Sequence, residues 1–289
     1  MEDKKLFDDH YAKYPQIHSD NVFTTMVSWM EYSNYHYAYL DDNIVIMTKV
    51  NNEIQFRPPI GKRNPDLFKQ VFNLALKEAS SPPVVLVDTE TKDWIAKNFP
   101  KFKFSADRDY SEYVYLASNL AELPGTAYAK IRNRLNKFKK SFSYTTEAIS
   151  ERNVDEVREF LRRWCLWKDC SSDPILENER KAIIYSMTNF FALGLSGIAI
   201  RINGRIESIA VFEKMNPDTA LVHYEKGSPD YDGIYKAINA ETAKILQKDF
   251  KFINRESDMN LPGLRQIKMA YNPHHLVEVF HVDKQDIVL

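Results

Sequence analysis

The chain has 289 residues, which is long enough for one large domain or two ordinary ones. Hydrophobic residues make up 44% and charged residues 27%, the balance of a globular protein, and the net charge of -1 excludes a globally basic nucleic-acid binder. With 8 glycines, the sequence also lacks the composition of collagens, flexible linkers and glycine-rich nucleotide loops. Any contact with nucleic acid must therefore come from a local basic patch.

The first predicted elements are a β-hairpin, a third strand, an amphipathic helix and a buried strand. Asp and Asn residues form the hairpin turn, and apolar residues recur at helical spacing in the helix, which Asn64 or Asp66 can cap. In chain order, the hairpin, the strand, the helix and the last strand occupy residues 35–50, 51–62, 64–79 and 82–90. Together they predict a mixed sheet with a helix packed on it.

A mainly helical region follows. Its first helix begins after a Pro-Gly pair, and two more helices cover residues 153–170 and 175–194. Cys165 and Cys170 lie five residues apart, and this spacing places two thiols on different faces of a continuous helix. We therefore expect buried, reduced thiols rather than a disulfide or a metal site.

The sequence carries no targeting or membrane signal. The N-terminus has no apolar signal-peptide core, and the longest apolar stretch, residues 190–200, is shorter than the ~20 residues that a membrane span needs. Together with the expected reduced cysteines, these features predict a cytoplasmic protein without a membrane span.

The second half repeats the layout of the first. A hairpin turns at Asn203 and Gly204, a pair that strongly favours such turns, and a third strand, a helix and a last strand follow. In chain order, these elements occupy residues 196–215, 218–229, 232–248 and 250–258. The repeat suggests duplication, with chance similarity as the alternative. The predicted fold class is α/β (α+β) with two mixed sheets, and the predicted domains are residues 1–120 and residues 121–289.

The two halves resemble the fold of GCN5-related N-acetyltransferases (GNAT). Two segments are more specific, namely residues 123–140, LPGTAYAKIRNRLNKFKK, and residues 253–273, INRESDMNLPGLRQIKMAYNP. They are similar to the DUF2156 family, which resembles the C-terminal domain of phosphatidylglycerol lysyltransferases and is related to the FemAB aminoacyltransferases. The resemblance covers residues 20–285 and implies a tandem GNAT-like acyl-CoA N-acyltransferase fold.

The resemblance also implies an activity. Relatives transfer an aminoacyl group from aminoacyl-tRNA to an amine or a lipid hydroxyl by direct attack, without a covalent nucleophile on the enzyme. The lysyltransferases carry a large membrane-spanning region as well, and its absence from this sequence argues against phosphatidylglycerol as the acceptor. Two alternatives stay open: an acetyl-CoA-dependent N-acetyltransferase, and a non-catalytic GNAT-like binding module. We expect no metal and no tightly bound cofactor, and the candidate acyl donors are aminoacyl-tRNA and acyl-CoA.

The loop after the third strand of the second half bears on the choice of donor. GNAT acetyltransferases bind the pyrophosphate of coenzyme A with backbone N–H groups of a glycine-rich loop at this place. The candidate cofactor-binding residues here are Gly227 and Gly233, six residues apart, and Tyr235 just beyond them. Asp230 and Asp232 lie between the glycines, and acidic side chains are unfavourable beside a pyrophosphate. The loop therefore favours aminoacyl-tRNA over acetyl-CoA.

Residues 128–140 form a basic helix that contains six Lys or Arg residues and no acid. Such a face can bind the phosphates of tRNA or of another phosphate-bearing ligand. Arg132 and Asn136 share a helical stripe, so these two residues and Asn133 are the ones expected to face a site. The alternative is a solvated helix face without a ligand.

The strand at residues 221–226 carries the predicted catalytic pair. Strict alternation places His223 and Glu225 on one face, where they can act as general base and orienter for an attacking amine. The alternative is that His223 is a hydrogen-bonded core residue and that Glu225 pairs with a cation such as Arg255.

The last strand of the second half ends in a run of charges. Alternation sets Arg255 on one face, where it can hold a carboxylate or a phosphate, and Glu256 on the other. Glu256 or Asp258 can bind the ammonium group of an aminoacyl donor. Arg265 and Lys268, on the next helix, either meet the same anion as Arg255 or neutralise the two acids. We expect these five residues to form one substrate-binding cluster in the second half, where a small-molecule acceptor would also bind.

Overall fold

The computed structural model describes residues 1–289. The strands are β1 (His36–Leu40), β2 (Asn43–Val50), β3 (Glu53–Phe56), β4 (Ile60–Gly61), β5 (Val84–Asp88), β6 (Ser105–Ala106), β7 (Glu112–Leu116), β8 (Tyr144–Ala148), β9 (Ser196–Ile202), β10 (Arg205–Lys214), β11 (Thr219–Gly227), β12 (Phe252–Ser257), β13 (His275–Val277) and β14 (Val279–Val282). The helices are α1 (Lys4–Lys13), α2 (Phe23–Ser28), α3 (Met30–Ser33), α4 (Pro65–Glu78), α5 (Thr89–Asn98), α6 (Ala117–Glu122), α7 (Ala129–Ser141), α8 (Val154–Lys168), α9 (Pro174–Thr188), α10 (Phe190–Leu193), α11 (Ile234–Leu246) and α12 (Pro262–Ala270). None of these helices combines the length and the apolar character that crossing a membrane requires.

The chain divides into two compact units. The N-terminal unit consists of Glu2–Glu112, Ser257–Asn260 and Val277–Leu289, and the C-terminal unit consists of Met1, Tyr113–Glu256 and Leu261–Leu276. This division differs from the predicted one at residues 120 and 121. The reason is that β7 joins the second sheet, whereas β14 pairs with β5 and so returns the end of the chain to the first sheet.

The N-terminal unit contains a mixed sheet with the strand order β1-β2-β3-β5-β14-β6, and β4 pairs with β2. The predicted hairpin is β1 and β2, the predicted third strand is β3, and β5 runs parallel to β3. The predicted helix is α4, and the Asn64 side chain caps it by accepting hydrogen bonds from the backbone of Asp66 and Leu67. The apolar face of α4, including Phe68 and Phe72, fills the core of this unit.

The C-terminal unit contains the second mixed sheet, in the order β13-β7-β12-β11-β10-β9-β8. The predicted hairpin is β9 and β10, which turns at Asn203 and Gly204 with positive φ angles of 50° and 78°. β11 is antiparallel to β10, and β12 is parallel to β11. Helices α6, α7 and α11 share one apolar core with this sheet. Both repeats therefore have the predicted order of elements, and the predicted class of two mixed sheets with packed helices is confirmed.

Cys165 and Cys170 form a disulfide, so the expectation of two reduced thiols is wrong. α8 ends at Lys168, and Asp169 adopts a left-handed conformation with φ 54° that reverses the chain. This reversal brings the Cα atoms of the two cysteines to 5.2 Å, and a short 3₁₀ turn begins at Cys170. Two thiols five residues apart lie on different faces only in a helix that continues through Cys170, and α8 ends before that residue.

Candidate functional site

A β-bulge at His223 determines which side chains of β11 lie on the same face of the sheet. In the register with β10, Val222 pairs with Phe212 and Tyr224 pairs with Val211, so His223 is the extra residue between them. The strict alternation that the sequence suggested therefore fails at this point of the strand.

The contacts of the side chains around the bulge show which face of the sheet each one occupies. Val222 packs in the apolar core shared with α11, whereas the Tyr224 hydroxyl lies 3.2 Å from the hydroxyl of Ser186 on α9. The His223 ring lies beside that of Tyr224, with 5.9 Å between ring centres, and Glu225 turns back to the α11 side. His223 and Glu225 thus lie on opposite faces of the sheet, and they do not form the predicted pair.

Glu225 forms an ion pair with Arg255 on the α11 side of the sheet. Its other carboxylate oxygen accepts a hydrogen bond of 3.1 Å from the side-chain amide of Asn239 on α11. Burial lowers the pKa of Arg255, but the charge of Glu225 and of nearby tyrosines outweighs burial and holds that pKa above its usual value. This contact matches the alternative in which Glu225 pairs with a cation.

Two polar atoms at this ion pair are buried without a partner. They are Nη1 of Arg255, a donor, and Oδ1 of Asn239, an acceptor. A buried polar atom without a hydrogen bond costs about 1–3 kcal/mol, and a bound ligand is one of the partners that can offset this cost. The cluster can therefore still donate one hydrogen bond and accept another.

Lys236, in the first turn of α11, completes this cluster. Its ammonium group lies 4.6 Å from the centre of the Tyr271 ring, and the guanidinium carbon of Arg255 lies 5.0 Å from the same centre. Lys236 makes no ion pair. Burial and the neighbouring cations Arg255 and Arg134 lower its pKa to about 8. A lysine with such a pKa is in part a neutral amine at neutral pH, and it can accept a proton.

His223 lies between two carboxylates on the other face of the sheet. Its Nε2 is 2.8 Å from Glu213 on β10, and its Nδ1 is 3.3 Å from Glu256 on β12. Burial lowers the pKa of His223, but the hydrogen bonds and charges of the two carboxylates outweigh it and raise the pKa to about 9. The imidazole is therefore protonated at neutral pH and donates from both nitrogens, which suits a structural cation better than a general base.

The predicted substrate-binding cluster at the end of β12 is divided among several contacts. Arg255 and Glu256 do lie on opposite faces, as alternation predicted. The Lys268 ammonium donates to the backbone carbonyls of Arg255, at 2.6 Å, and Glu256, at 3.1 Å, and so fixes the end of the strand. Asp258 is fully buried in the N-terminal unit, where it pairs with Arg108 at 3.2 Å. Arg265 is half-buried on α12.

The basic helix α7 has one buried apolar face and one exposed face of polar and charged side chains. Arg132 bends back to donate to the backbone carbonyl of Gly125 at 2.9 Å, so it holds the preceding loop. Asn133 and Asn136 are exposed and line an open groove of about 520 Å³ together with Lys137, Lys140 and Ser141. Of the three predicted residues, the two asparagines thus face an open surface, whereas the Arg132 guanidinium is used within the protein.

The loop from Gly227 to Tyr235 is held by contacts within the chain. A Cβ atom on Gly227 would come within 2.7 Å of Ile234, and one on Gly233, where φ is 95°, within 3.0 Å of Phe138. Asp232 pairs with Arg134 and Lys137 of α7. The Tyr235 hydroxyl accepts a hydrogen bond of 3.3 Å from the indole of Trp164. The packing of the chain against itself therefore accounts for both glycines.

Sequence reasoning missed Lys236, Asn239 and Glu213. Asn239 is one helical turn beyond Tyr235 and buried, and a polar residue in the apolar stripe of α11 is a signal that the sequence offered. Glu213 near the end of β10 gave no comparable signal, because the bulge that turns His223 towards it cannot be read from residue types. Lys236 resembles any exposed helix lysine until its neighbours are known.

Three solved structures resemble the protein over nearly the whole chain. A conserved protein of unknown function from Bacteroides thetaiotaomicron VPI-5482 is 28% identical, with a TM-score of 0.89 and coverage of 98% of this chain and 96% of that chain. The C-terminal DUF2156 domain of a putative lysylphosphatidylglycerol synthetase from Agrobacterium fabrum is 13% identical, with a TM-score of 0.68 and coverage of 98% and 92%. A tandem GNAT protein from the clavulanic acid biosynthesis pathway is 9% identical, with a TM-score of 0.50 and coverage of 98% and 95%. These likenesses confirm the predicted tandem GNAT fold.

The sequence profile of the family described as phosphatidylglycerol lysyltransferase, C-terminal, matches residues 11–282. The match includes both segments that carried the resemblance in the sequence, the basic helix and the end of β12 with the helix that follows. The match therefore confirms the predicted resemblance. The chain belongs to the family of the phosphatidylglycerol lysyltransferase C-terminal domain.

Proposed function

We propose that the protein is an aminoacyltransferase that moves an aminoacyl group from an aminoacyl-tRNA to an amine or hydroxyl acceptor. Membership of the lysyltransferase family supports the reaction class. The observation that carries the proposal is the buried Arg255 guanidinium, which is fixed by Glu225 through one side while its Nη1 stays without a partner. A donor held in this way is suited to a carbonyl oxygen on which negative charge develops.

The chemistry requires one bond exchange. The nitrogen or oxygen of the acceptor attacks the carbonyl carbon of the aminoacyl ester, the ester C–O bond breaks, and its electron pair leaves with the ribose oxygen of the tRNA. The proton of the acceptor must be removed, and the ribose oxygen must gain one. We assign the first task to the neutral amine of Lys236, whose pKa is about 8, and the same group can return the proton to the leaving oxygen.

Glu225 and Asn239 serve this arrangement as positioning residues. Glu225 neutralises and orients the guanidinium of Arg255, and its carboxylate is held in turn by the amide of Asn239. The unpartnered Oδ1 of Asn239 is an acceptor on the same side of the sheet and is suited to a donor on the substrate, such as the ammonium of the aminoacyl group. His223 is on the opposite face and acts by fixing Glu213 and Glu256 there.

The exposed face of α7 is the proposed contact for the tRNA backbone. Lys137 and Lys140 border the open groove, and the polar Asn133, Asn136 and Ser141 can donate hydrogen bonds to phosphate oxygens. The nearby Asp232 offsets one positive charge, but it is shared by Arg134 and Lys137, so the face keeps an excess of cations. Charge-reversing substitutions at Lys137 and Lys140 should weaken tRNA binding and flatten its dependence on salt.

Coenzyme A fits the loop from Gly227 to Tyr235 poorly. Packing of the chain against itself accounts for both glycines of this loop. Asp232 with its two cationic partners lies beside Gly233 at the start of α11, where a pyrophosphate would need free N–H groups. An acetyl-CoA-dependent reaction is therefore the second candidate function, and acyl-CoA donors belong in the same assay as charged tRNAs.

The decisive experiment measures transfer from a panel of charged tRNAs and acyl-CoAs to a mixture of small amines, hydroxyl compounds and lipids, with products identified by mass. We expect a product from a charged tRNA, and we expect Arg255→Lys to lower kcat/KM by roughly a hundredfold to a thousandfold because it removes the planar donor. Arg201→Lys is the matched control, since Arg201 pairs with Glu147 and Glu156 at a different place in the sheet. Absence of product with every charged tRNA, or full activity of Arg255→Lys, would overturn the proposal.

A further inference from the structure

Strand β1 is an open edge of the N-terminal sheet. It is the first strand in the order of that sheet, and all five of its residues are exposed. The strand contains no proline and no Lys, Arg, Asp or Glu, which are the residues that usually prevent an edge from pairing. The opposite edge of the same sheet is β6, which has two residues and is too short to pair well. The two edges of this sheet thus differ: β1 is five residues long and has no charged Lys, Arg, Asp or Glu side chain, whereas β6 is short.

The register of β1 with β2 shows which backbone groups are free. A two-residue turn with positive φ at Asp41 and Asp42 joins the two strands, so the flanking pair Leu40 and Asn43 exchanges hydrogen bonds. In an antiparallel ladder hydrogen-bonded and non-hydrogen-bonded pairs alternate, so Ala38 bonds to β2 whereas Tyr37 and Tyr39 do not. The N–H and C=O groups of Tyr37 and Tyr39 therefore point to the open side.

We propose that β1 pairs antiparallel with β1 of a second copy of this chain and joins two N-terminal sheets into one. The sequence around Ala38 reads Tyr-Ala-Tyr in both directions, so a two-fold axis at Ala38 sets Tyr37 against Tyr39 of the second copy. These are the residues whose backbone groups are free, and the pairing gives two hydrogen bonds at each of the two tyrosine pairs. The strand is thus complementary to itself in sequence and in hydrogen-bond register, as a two-fold interface requires.

The tyrosine side chains are already positioned for this pairing. The Tyr37 ring packs on Phe7 of α1 with 4.9 Å between ring centres, and the Tyr39 ring lies 5.6 Å from His10 of the same helix. The two residues remain about two-fifths exposed, at 39% and 46%, so each has surface left for the tyrosine opposite. Cross-strand aromatic pairs stabilise an antiparallel pairing. Because five residues bury little area, we expect an affinity in the micromolar range.

The test is the mass of the protein by sedimentation velocity from micromolar to millimolar concentration. We expect the wild type to shift from monomer to dimer across this range. Ala38→Lys should remain monomeric, because the two-fold axis sets the two lysines directly against each other, and so should Ala38→Glu. An equimolar mixture of the two variants should dimerise again. Thr146→Lys is the matched control, since Thr146 is exposed on β8, an edge of the other sheet, and this variant should dimerise like the wild type.

Hydrogen exchange provides a second measurement that needs no variant. Protection of the Tyr37 and Tyr39 amides should rise with protein concentration, whereas that of Ala38, which already bonds to β2, should not change. A wild type that stays monomeric at all concentrations would overturn the proposal. So would a dimer that survives Ala38→Lys, or one that Thr146→Lys abolishes. Both of these results would assign the association to another surface.

Discussion

The Nε2 atom of His223 donates a hydrogen bond to Glu213 at 2.8 Å, across the β-bulge that separates β10 and β11 at this point. The side chain of His223 is 3% exposed, and Glu256 holds its other nitrogen. A buried imidazolium between two carboxylates joins β10, β11 and β12 by charge, at the place where the sheet departs from regular pairing. The bulge and the charged contact therefore depend on each other.

The first prediction concerns the pH dependence of stability. The pKa of His223 in the folded protein is about 9, above its ordinary value of 6.5, so the protonated form stabilises the fold. This stabilisation is complete below about pH 6.5 and is lost as the pH rises through about 9. Urea unfolding of the wild type and His223→Gln should differ by about 3 kcal/mol at pH 6 and much less at pH 10. Thr146→Gln, at an exposed position without a titratable side chain, is the control, and its effect on the free energy of unfolding should be the same at both pH values.

The second prediction concerns Lys236. Its pKa of about 8 arises from burial first and from the cations Arg255 and Arg134 second, so Arg134→Gln should raise that pKa. Competitive acetylation of lysines at a series of pH values, with peptides quantified by mass, measures the shift. The exposed Lys101 should not respond to Arg134→Gln. If Lys236 accepts the proton in the reaction, kcat/KM of the wild type also rises with pH through about 8, and Lys236→Gln loses this dependence.

The third prediction concerns the disulfide between Cys165 and Cys170, which closes a loop of few residues. Its reduction should lower the free energy of unfolding by about 2 kcal/mol, since a short loop restricts the unfolded chain modestly. Urea unfolding with and without reductant measures the loss, and the double variant Cys165→Ala/Cys170→Ala should not respond to reductant. Alkylation of two thiols in unreduced protein would contradict the prediction.

The fourth prediction compares two glycines. Gly233 has a φ of 95° and packs against α7, so Gly233→Ala should cost about 1–3 kcal/mol of stability and displace the start of α11. Gly263 lies in α12, where an added Cβ would meet no atom within 4 Å. Gly263→Ala should therefore be neutral or stabilise by about 0.4–1 kcal/mol. If the two substitutions changed the thermal unfolding equally, the positive φ and the close packing at Gly233 would not account for the presence of glycine there.

Local sequence patterns predicted the elements and their repeated order well. Asn203 and Gly204 require a two-residue turn, and Asn64 caps α4 as its residue type suggests, because turns and caps depend on a few neighbouring residues. The apolar spacing in each repeat predicted the faces that pack on the sheets, and so two mixed sheets with packed helices. The tandem GNAT fold followed from the family resemblance. The pairing of Glu225 with Arg255 was also visible as one of two alternatives.

The sequence by itself thus determined the order of strands and helices, the repeat and the family, because these follow from local propensity and from motifs. Only the tertiary structure decided the site. The β-bulge at His223 places His223 and Glu225 on opposite faces of the sheet. The left-handed conformation of Asp169 allows the disulfide to close. Burial in the packed C-terminal unit, beside Arg255, lowers the pKa of Lys236. Each of these features depends either on contacts between residues that are distant in the chain or on one unusual backbone angle. The spacing of residue types predicts neither long-range contacts nor single backbone angles.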